Sequence, residues 1–369
     1  MRIAFYAPLK PADHPTPSGD RRVARLFLDA LQLAGHRPFV ASRRRSYEGA
    51  GDRLRQSRLA NLARGDAERL LRLWHRQPGA APELWFTYHL YYKAPDWLGP
   101  RISAALGIPY VVAEASSAPK RAVGIWQIGQ RAVEEALRRA DAVIGLNPAD
   151  RDCVLPLLRD ARRWIALPPF LDARRYRVRE ARPVTAPPRL IAVAMMRPGD
   201  KLASYRVLGA ALAELLDLEW SLDVAGDGEA RAEVEIALAP LGARVRYLGA
   251  LDDCAIAAAL AEADLFLWPA LNEAFGMALL EAQASGLPVV AGASGGVAGI
   301  VASGETGLLV PPGNAAAFAA AARRLIRDGR ARDAMGAAAR AKVLREHDLP
   351  AAAAHLAEAI EQLVPVRAA

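Results

Sequence analysis

One stretch decides how this chain is expected to fold, residues 263–290: ADLFLWPALNEAFGMALLEAQASGLPVV. It opens with an apolar run that ends at Trp268 and Pro269, passes through a short polar loop carrying Glu273, and then repeats apolar residues at helical spacing. A second apolar run ends at Val290. This order predicts a strand, a loop, a helix and a parallel strand, which is the repeating unit of an α/β sheet.

The same alternation runs through the rest of the chain. In the first half it predicts strands at 3–7, 38–41, 84–87, 110–113 and 142–146, and helices at 20–35, 53–76, 96–106 and 125–139. In the second half it predicts strands at 190–195, 220–225, 245–248, 265–268 and 288–291, and helices at 207–216, 229–241, 255–262 and 278–285. The pattern indicates two Rossmann-like, doubly wound parallel-sheet domains facing each other across a cleft. We expect an N-terminal domain over 1–172, a linker over 173–188 rich in proline and arginine, and a C-terminal domain over 189–369 whose last helix packs back on the first domain.

Composition excludes several classes of protein. The chain has 369 residues, of which 53% are hydrophobic and 24% charged, so it can bury a large core and is not disordered, collagenous or a coiled coil. No apolar run approaches the roughly 18 residues that span a bilayer. The first residues do not read as a signal peptide, and two cysteines do not make a disulfide framework, so we expect a cytoplasmic protein.

Positive charge is concentrated in the first half. Residues 1–180 carry 31 of the 48 Lys and Arg residues and 18 of the 40 Asp and Glu residues, a net charge of +13 against −5 for the remainder. This asymmetry favours an anionic partner for the first half, or peripheral contact with the anionic inner face of a membrane. The contact would use the run Arg43-Arg44-Arg45 and the predicted helix 53–76, which mixes arginine with leucine. The alternative is a solvated arginine face; no aromatic-interleaved pattern indicates nucleic-acid binding.

Two glutamates in the quoted stretch are candidates for binding. Glu273 on the loop can accept hydrogen bonds from sugar hydroxyls, and Glu281, two helical turns into the helix, can accept from a ribose diol. The open amides at the start of the helix, near Phe275, Gly276 and Met277, suit a phosphate. Spacing alone leaves open that Glu281 is only a solvated helix residue.

The chain resembles a retaining glycosyltransferase of the GT-B fold, family 4, the glycosyl transferases group 1 type. The resemblance is carried by Glu273-x7-Glu281, by the Gly-Asp-Gly turn at 226–228, by Glu281–Val290, by Gly295-Gly296 and by Gly304–Val310. In the first half, Pro17-Ser18-Gly19-Asp20 before a helix resembles the family's glycine loop. An ordinary turn with Ser18 or Asp20 as helix cap is the alternative there.

The resemblance implies roles for the candidate donor-site residues. Lys201 and an arginine would neutralise the diphosphate, but Met196 stands where the family's arginine is expected, so either Arg197 serves from a shifted loop or another arginine does. A solvated loop lysine is the alternative for Lys201. The donor site would further include Gly19, Gly226, Asp227, the 275–277 amides and Glu281, with Glu273 on the sugar.

The histidine that the family places beside the transferred sugar is in question here. His89 follows a predicted strand, whereas Glu114 stands one strand later, where a histidine is also common in the family. Either residue would serve the sugar or acceptor side, with Asp20 nearby. The aromatic cluster 85–92 around His89 is either core or an acceptor platform.

The implied activity is transfer of a sugar from a UDP- or GDP-sugar to an acceptor hydroxyl, with retention, in cell-surface polysaccharide, glycolipid or glycoconjugate synthesis. A glycan or a lipid-linked molecule would be the acceptor. We expect no metal and no cofactor, because the sequence holds no metal-ligand spacing, no Walker loop and no Gly-x-Gly-x-x-Gly after the first strand. Other GT-B enzymes, such as a nucleotide-sugar epimerase or a phosphorylase, and a non-catalytic binder of nucleotide-sugar or nucleic acid are the alternatives.

Overall fold

The computed structural model describes residues 1–16, 18–178, 183 and 186–363. The chain divides into two compact units. Unit 1 holds Met1–Pro168 together with the stretch that begins at Leu349, and unit 2 holds Pro169–Asp348.

Unit 1 is built on a parallel sheet of six strands in the order β2-β1-β3-β4-β5-β6. The strands are β1 (Arg2–Tyr6), β2 (Arg37–Ser42), β3 (Leu84–Leu90), β4 (Tyr110–Ala115), β5 (Ala142–Gly145) and β6 (Trp164–Ala166). The helices between them are α1 (Gly19–Leu33), α2 (Arg53–Arg76), α3 (Gly99–Leu106), α4 (Gln127–Arg139) and the short α5 (Arg151–Val154). The central strands are almost wholly buried because helices cover both faces of the sheet.

Helix α1 shows how local sequence sets the limits of an element. Ser18 caps its start by accepting a hydrogen bond from the Arg21 amide at 3.2 Å. At its end, Gly35 adopts φ 82°, and the amides of Gly35 and His36 return to the carbonyls of Gln32 and Leu31. This is a Schellman ending, so the predicted helix stop at Gly35 is confirmed.

Unit 2 repeats the plan with a six-stranded parallel sheet in the order β12-β11-β10-β7-β8-β9. Its strands are β7 (Arg189–Val193), β8 (Ser221–Ala225), β9 (Val245–Gly249), β10 (Leu265–Trp268), β11 (Val289–Gly292) and β12 (Gly307–Val310). Its helices are α6 (Asp200–Ala213), α7 (Arg231–Leu238), α8 (Asp253–Glu262), α9 (Met277–Ala284), α10 (Val297–Ile300), α11 (Ala315–Arg327) and α12 (Gly329–Lys342). The two predicted doubly wound α/β sheets are thereby confirmed.

The chain crosses from one unit to the other near residues 168 and 348. Ala173 and Tyr176 lie in the core of unit 2, although the sequence pattern assigned 173–188 to a linker. Leu171, which that pattern assigned to the N-terminal domain, lies in the same core. Within that segment, residues 179–182 and 184–185 lie outside the described part of the chain. The last helix, α13 (Leu349–Glu361), packs on α1 within unit 1.

Each sheet has one point where the strand order reverses direction. In unit 1 the chain moves from β1 to β2 and then crosses back to place β3 on the other side of β1. In unit 2 it moves from β7 through β8 to β9 and then returns to place β10 on the other side of β7. Ligands of open α/β sheets bind at the carboxyl ends of the strands beside such a point, so the segments after β1, β3, β7 and β10 are the places to look for a site.

Candidate functional site

The centre of the candidate site in unit 2 is an ion pair between segments that follow β7 and β10. The Lys201 ammonium lies 2.5 Å from Oε2 of Glu273, with 28% and 18% of the two side chains exposed. Lys201 stands in the first turn of α6 and Glu273 on the loop after β10. The structure therefore brings together two predicted residues that are 72 positions apart, and Lys201 is not a solvated loop lysine.

Trp268, the last residue of β10, underlies this pair. Its indole Nε1 donates to Oε2 of Glu273 at 3.3 Å, and its ring lies 5.4 Å from the Lys201 ammonium. Tyr205 on α6 packs edge-on against the Trp268 ring at 5.0 Å and donates its hydroxyl hydrogen to the Ala194 carbonyl at 2.8 Å. A buried aromatic pair thus fixes where carboxylate and ammonium meet.

The loop after β10 is held in an unusual backbone conformation. Ala270 and Asn272 have φ of 54° and 51°, in the left-handed region that residues other than glycine rarely adopt. Asn272 donates to Asp200 at 2.9 Å, which ties the loop to the start of α6. Strained backbone of this kind persists only where the surroundings enforce it, and it is frequent at functional sites.

A second loop supports Glu273 from the other side. The Ser294 hydroxyl accepts a hydrogen bond from the Glu273 amide at 3.3 Å. Gly295 has φ 52°, and a Cβ atom there would stand 2.0 Å from the Glu273 carbonyl oxygen. Glycine is therefore required at 295 for the two loops to approach each other.

Helix α9 begins directly behind Glu273 with unpaired backbone donors. Gly276 precedes the helix with φ 72° and provides no side-chain cap. Within the described part of the chain, the amides of Phe275, Gly276, Met277 and Ala278 donate to no protein acceptor. Such amides, at the positive end of a helix dipole, form an anion-binding position.

Glu281, one turn further along α9, is only 4% exposed. The alternative that it is a solvated helix residue is therefore wrong. A buried carboxylate in this position belongs to the interior of the unit beside the helix start, not to its outer surface.

The other predicted donor residues follow β7 and β8. Gly226 and Gly228 have φ of 149° and 154°, and a Cβ on either would stand 1.9 and 2.2 Å from the carbonyl oxygens of Ala194 and Met196. The Gly-Asp-Gly turn thus packs tightly against the segment that leads to Lys201. Asp227 between them pairs with Arg231 at 3.5 Å.

Met196, which stands where the resemblance expects an arginine, and its neighbour Arg197 differ in burial. Met196 is fully buried, whereas Arg197 is exposed and its guanidinium has no protein partner among the described residues. Arg197 is thus the free cation on the segment between β7 and α6.

In unit 1, the predicted sugar-side residues also come together at the reversal point of the sheet. Nδ1 of His89, near the end of β3, lies 2.9 Å from Oδ1 of Asp20, in the first turn of α1. Glu114, near the end of β4, is close enough to His89 for their charges to interact. Gly19 begins α1, and a Cβ there would have no atom of the described residues within 4 Å. Pro17 of the same motif lies outside the described residues.

The ionisable groups of this cluster shift one another's pKa. Burial lowers the pKa of His89, but the carboxylates of Glu114 and Asp20 more than compensate, so that the pKa lies above its ordinary value. The hydrogen bond from His89 lowers the pKa of Asp20. Burial raises the pKa of Glu114 and of Asp150, which follows β5, against the opposing effect of His89.

The aromatic cluster around His89 divides into two parts. Trp85, Phe86 and Tyr88 are buried in the core of unit 1, as one of the two interpretations predicts. Tyr91 and Tyr92 are only half-buried, and the Tyr91 ring lies 5.1 Å from the His89 ring. Tyr91 and Tyr92, at the end of the cluster, are therefore the two of its tyrosines that solvent and a ligand can reach.

The two basic segments predicted to contact a membrane differ in their surroundings. In the run at 43–45, Arg43 pairs with Asp13, Arg44 pairs with Asp66, and Arg45 donates to the Leu9 carbonyl. These arginines therefore mainly make contacts within unit 1. Helix α2 instead exposes an outer face of arginine and leucine. Its exposed residues include Leu54, Arg55, Arg58, Leu62, Arg72, Leu73 and Arg76.

Two features are absent from the residues that the structure describes. Over 1–16, 18–178, 183 and 186–363, no cluster of three or more His, Cys, Asp or Glu side chains is arranged to hold a metal ion. In the same part of the chain, no helix is both long and apolar enough to cross a membrane.

Residues 201–342 match the sequence model of the family described as glycosyl transferases group 1. This segment begins at Lys201 and contains Glu273, helix α9 and Glu281. We call these 142 of the 369 residues the group 1 segment.

Curated relatives match about a quarter to a third of the chain. The D-inositol 3-phosphate glycosyltransferase of Corynebacterium aurimucosum is 44% identical over 26% of this chain and 23% of its own length. The phosphatidyl-myo-inositol mannosyltransferase of Mycobacterium leprae is 37% identical over 32% of this chain and 31% of its own. The chain thus matches a third or less of the length of these two relatives.

A solved structure extends the likeness to the whole chain. HepE of Anabaena, crystallised in complex with UDP, superposes with a TM-score of 0.72 over 98% of this chain and 100% of its own, at 17% identity. At that identity the comparison shows the fold, which is the GT-B pair of Rossmann-like domains predicted from the sequence.

The side chains around the site that the sequence does not single out include two in the group 1 segment and one in unit 1. In the group 1 segment these are Trp268, which contacts both Lys201 and Glu273, and Ser294, which accepts from the Glu273 amide. In unit 1 it is Asp150. Two of them had a visible signal, because Trp268 ends a buried strand and Asp150 lies in the Asn-Pro-x-Asp turn just after another.

Proposed function

We propose that the protein is a glycosyltransferase that moves a sugar from a UDP- or GDP-sugar to an acceptor hydroxyl with retention at the anomeric carbon. The observation that carries this proposal is the meeting of Lys201 and Glu273 beside the unpaired amides that begin α9. A cation, a helix start and a carboxylate side by side suit a diphosphate attached to a polyhydroxylated sugar.

Each group of unit 2 receives a role in donor binding. Lys201, Arg197 and the amides of 275–277 bind the diphosphate, with Gly226 and Asp227 lining the turn beside them. Glu281 accepts hydrogen bonds from the ribose hydroxyls, and Glu273 accepts from the sugar hydroxyls. Unit 1 binds the acceptor, with His89, Glu114 and Asp20 on the acceptor or sugar side and Gly19 on the loop that precedes α1.

The chemistry follows from the charge that develops during transfer. The bond between the anomeric carbon and the diphosphate oxygen breaks, the acceptor oxygen bonds to that carbon on the same face, and the acceptor proton passes to the leaving phosphate oxygen. Negative charge grows on the diphosphate, so Lys201, Arg197 and the α9 amides stabilise the transition state more than the ground state. We propose that these groups suffice without a metal; EDTA should then leave turnover unchanged.

Similar proteins support the donor class and two classes of acceptor. HepE has been crystallised with UDP and with UDP-glucose. Two relatives of the chain are named for transfer to D-inositol 3-phosphate and to phosphatidyl-myo-inositol. These names favour a nucleoside diphosphate donor and a polyol or lipid-linked acceptor in glycolipid or polysaccharide synthesis.

Thermal unfolding in the presence of UDP, GDP and ADP and their sugars tests the donor class. At 100 times its Kd, a ligand of the folded state adds about 2.7 kcal/mol. For a unit of this size that raises Tm by about 5–10 °C. A labelled donor then distinguishes the reaction, since a transferase gives a glycoside, an epimerase a new nucleotide-sugar and a phosphorylase a sugar phosphate. The anomeric coupling of the product by NMR reports retention, and no shift with any nucleotide would refute the proposal.

We further propose that α2 of unit 1 contacts an anionic membrane surface. Its outer face exposes Leu54, Leu62 and Leu73 among arginines that have no protein partner in the described part of the chain, such as Arg58 and Arg72. Aliphatic residues among free cations suit the boundary between headgroups and acyl chains.

Co-sedimentation with vesicles tests this contact. The double variant Arg58→Glu/Arg72→Glu should lose binding to anionic vesicles, and neutral vesicles or high salt should abolish binding of the parent protein. Arg162→Glu is the control, because Arg162 is an exposed arginine of the same unit that is already paired with Asp160. Equal binding by the double variant and the control would contradict the proposal.

A further inference from the structure

The reversal point of the unit 1 sheet holds a second polar pair that the donor chemistry does not use. Asp20 follows β1 and His89 ends β3, the two strands between which the strand order changes direction. In unit 2 the corresponding segments, after β7 and β10, carry Lys201 and Glu273. Both pairs thus stand where open α/β sheets bind ligands.

The hydrogen bond within this pair settles the roles of the two ring nitrogens of His89. Asp20 accepts at 2.9 Å from Nδ1, and a carboxylate can only accept, so Nδ1 carries a hydrogen. Nε2 has no protein partner among the described residues, and 24% of the side chain is exposed. One ring nitrogen is therefore held by the protein, and the other is available to a ligand.

The backbone beneath the ring is held in a conformation that this residue does not prefer. His89 has φ 63° and Glu114 has φ 54°, although neither is glycine. Strands β3 and β4 pair with Tyr88 opposite Ala113 and Leu90 opposite Ala115, so the two left-handed residues stand side by side on neighbouring strands. Such conformations are unfavourable and persist where the packing directs a side chain.

We propose that Asp20 is a positioning residue for His89: it holds the ring through Nδ1, so that Nε2 is the nitrogen presented to the sugar or acceptor. The proposal rests on the proposed function in that His89 is taken to face a substrate. It goes beyond that function in assigning Asp20 an action through His89 and not on the ligand itself.

The charges around the ring agree with this arrangement. Groups from four elements face it: Asp20 from α1, Glu114 from β4, Asp150 from the turn after β5, and Tyr91 from the segment after β3. The three carboxylates oppose the effect of burial and raise the pKa of His89. Because the pKa is raised, the ring stays protonated up to a higher pH. A protonated ring carries a hydrogen on Nε2 as well as on Nδ1, so it can donate a strong hydrogen bond to a substrate oxygen.

Nitrogen-15 NMR of the full chain tests the positioning without any substrate. The chain has six histidines, and comparison with His89→Gln assigns the resonances of His89. At high pH we expect the neutral His89 ring of the parent protein to carry its hydrogen on Nδ1. In Asp20→Ala that preference should be lost, and in Asp20→Asn the His89 pKa should fall. Asp29→Ala is the control, because Asp29 is an exposed carboxylate on the same helix.

Kinetics then test whether the positioning matters to the reaction. We expect kcat/KM of Asp20→Ala to fall about 10-fold or more, as for loss of one charged hydrogen bond, with partial recovery in Asp20→Asn. Asp29→Ala should stay within about twofold of the parent. Asp20→Asn also guards against a folding defect in the alanine variant, since it keeps the shape of the side chain.

The NMR and kinetic experiments distinguish a failure of this inference from a failure of the proposed function. An unchanged His89 tautomer in a folded Asp20→Ala protein overturns the positioning role, whatever the enzyme does. Unchanged kcat/KM in that variant overturns its relevance to catalysis. If no nucleotide-sugar is bound or turned over by the parent protein, the proposed function fails, while the NMR result still decides whether Asp20 sets the ring.

Discussion

Replacing Lys201 by alanine should remove most of the activity and little of the stability. The ion pair with Glu273 is partly buried, with 28% and 18% of the two side chains exposed. Breaking it should therefore lower the free energy of unfolding by more than breaking a surface pair and by less than breaking a fully buried one. We expect about 1–2 kcal/mol, which is about 2–8 °C in Tm for a unit of this size. Glu273 retains the Trp268 indole as a donor, which limits the cost.

The expected catalytic loss is larger because Lys201 opposes charge that grows in the transition state. Removing one preorganised donor from such a site costs about 100- to 1,000-fold in kcat, or 2.7–4 kcal/mol. The assay is steady-state transfer from the nucleotide-sugar that the thermal screen identifies, together with calorimetric binding of UDP or GDP and of the corresponding nucleoside. Lys201→Ala should weaken binding of the diphosphate and leave binding of the nucleoside unchanged.

Arg246→Ala serves as the matched control for Lys201→Ala. Arg246 is a cation of the same unit that is paired with a carboxylate, Asp223, at 2.6 Å, but it lies on β9 and is 66% exposed. Its removal should change kcat/KM by less than about twofold. If Lys201→Ala proves folded, binds the diphosphate normally and turns over at the parent rate, the reasoning that places the donor beside α9 is wrong.

Three further predictions follow from the same contacts. Gly295→Ala should destabilise the protein by about 1–3 kcal/mol and lower its activity, because the added Cβ meets the Glu273 carbonyl. Gly299→Ala is the control, because a Cβ at that position has no described atom within 4 Å. Urea melts and transfer assays should show a loss for Gly295→Ala and none for Gly299→Ala. Glu281→Gln should weaken nucleoside binding about 10-fold while 2′-deoxynucleoside binding changes less, as calorimetry would show; equal losses would argue against a ribose contact. The pKa of His89 is raised on folding, so its contribution to the free energy of unfolding is complete below the unfolded pKa of about 6.5 and disappears as the pH rises through the folded pKa. The pKa of Asp20 is lowered on folding, so its contribution is present above about pH 4 and disappears as the pH falls through the folded pKa. Urea melts should therefore show a loss of stability between pH 5.5 and pH 8.5 that is smaller in His89→Gln, and an identical loss in both proteins would contradict the assignment.

Much of the fold could be predicted because apolar periodicity and caps act locally. Helix α2 has the predicted limits, Arg53–Arg76, and Asp52 caps it by accepting from the amides of Leu54 and Arg55. Strand β10 also has its predicted limits, Leu265–Trp268. In both cases the signal that begins or ends the element lies within a few residues of it.

The start of α6 shows where local patterns fail. The sequence predicts a helix over 207–216, but α6 begins at Asp200. Its first turn is polar because it serves tertiary contacts: Asp200 accepts from Asn272, and Ser204 accepts from the Leu271 amide. Without those partners, Asp200 and Lys201 are indistinguishable from loop residues. Helices α11 and α12 are likewise not predicted. In α12 the reason is its alanine content, because alanine favours helix without marking a face. Helix α11 does bury one apolar face, which includes Phe318, Leu325 and Ile326.

The sequence by itself determined the two α/β units, the motif residues of the group 1 segment and the turns that require glycine, since these depend on periodicity and on backbone conformation at single positions. Only the tertiary structure decided which side chains meet. The order of strands, with β7 beside β10 and β1 beside β3, brings Lys201 to Glu273 and Asp20 to His89. Partners 72 and 69 positions apart cannot be inferred from spacing, because the pairing of strands that joins them is a property of the whole sheet.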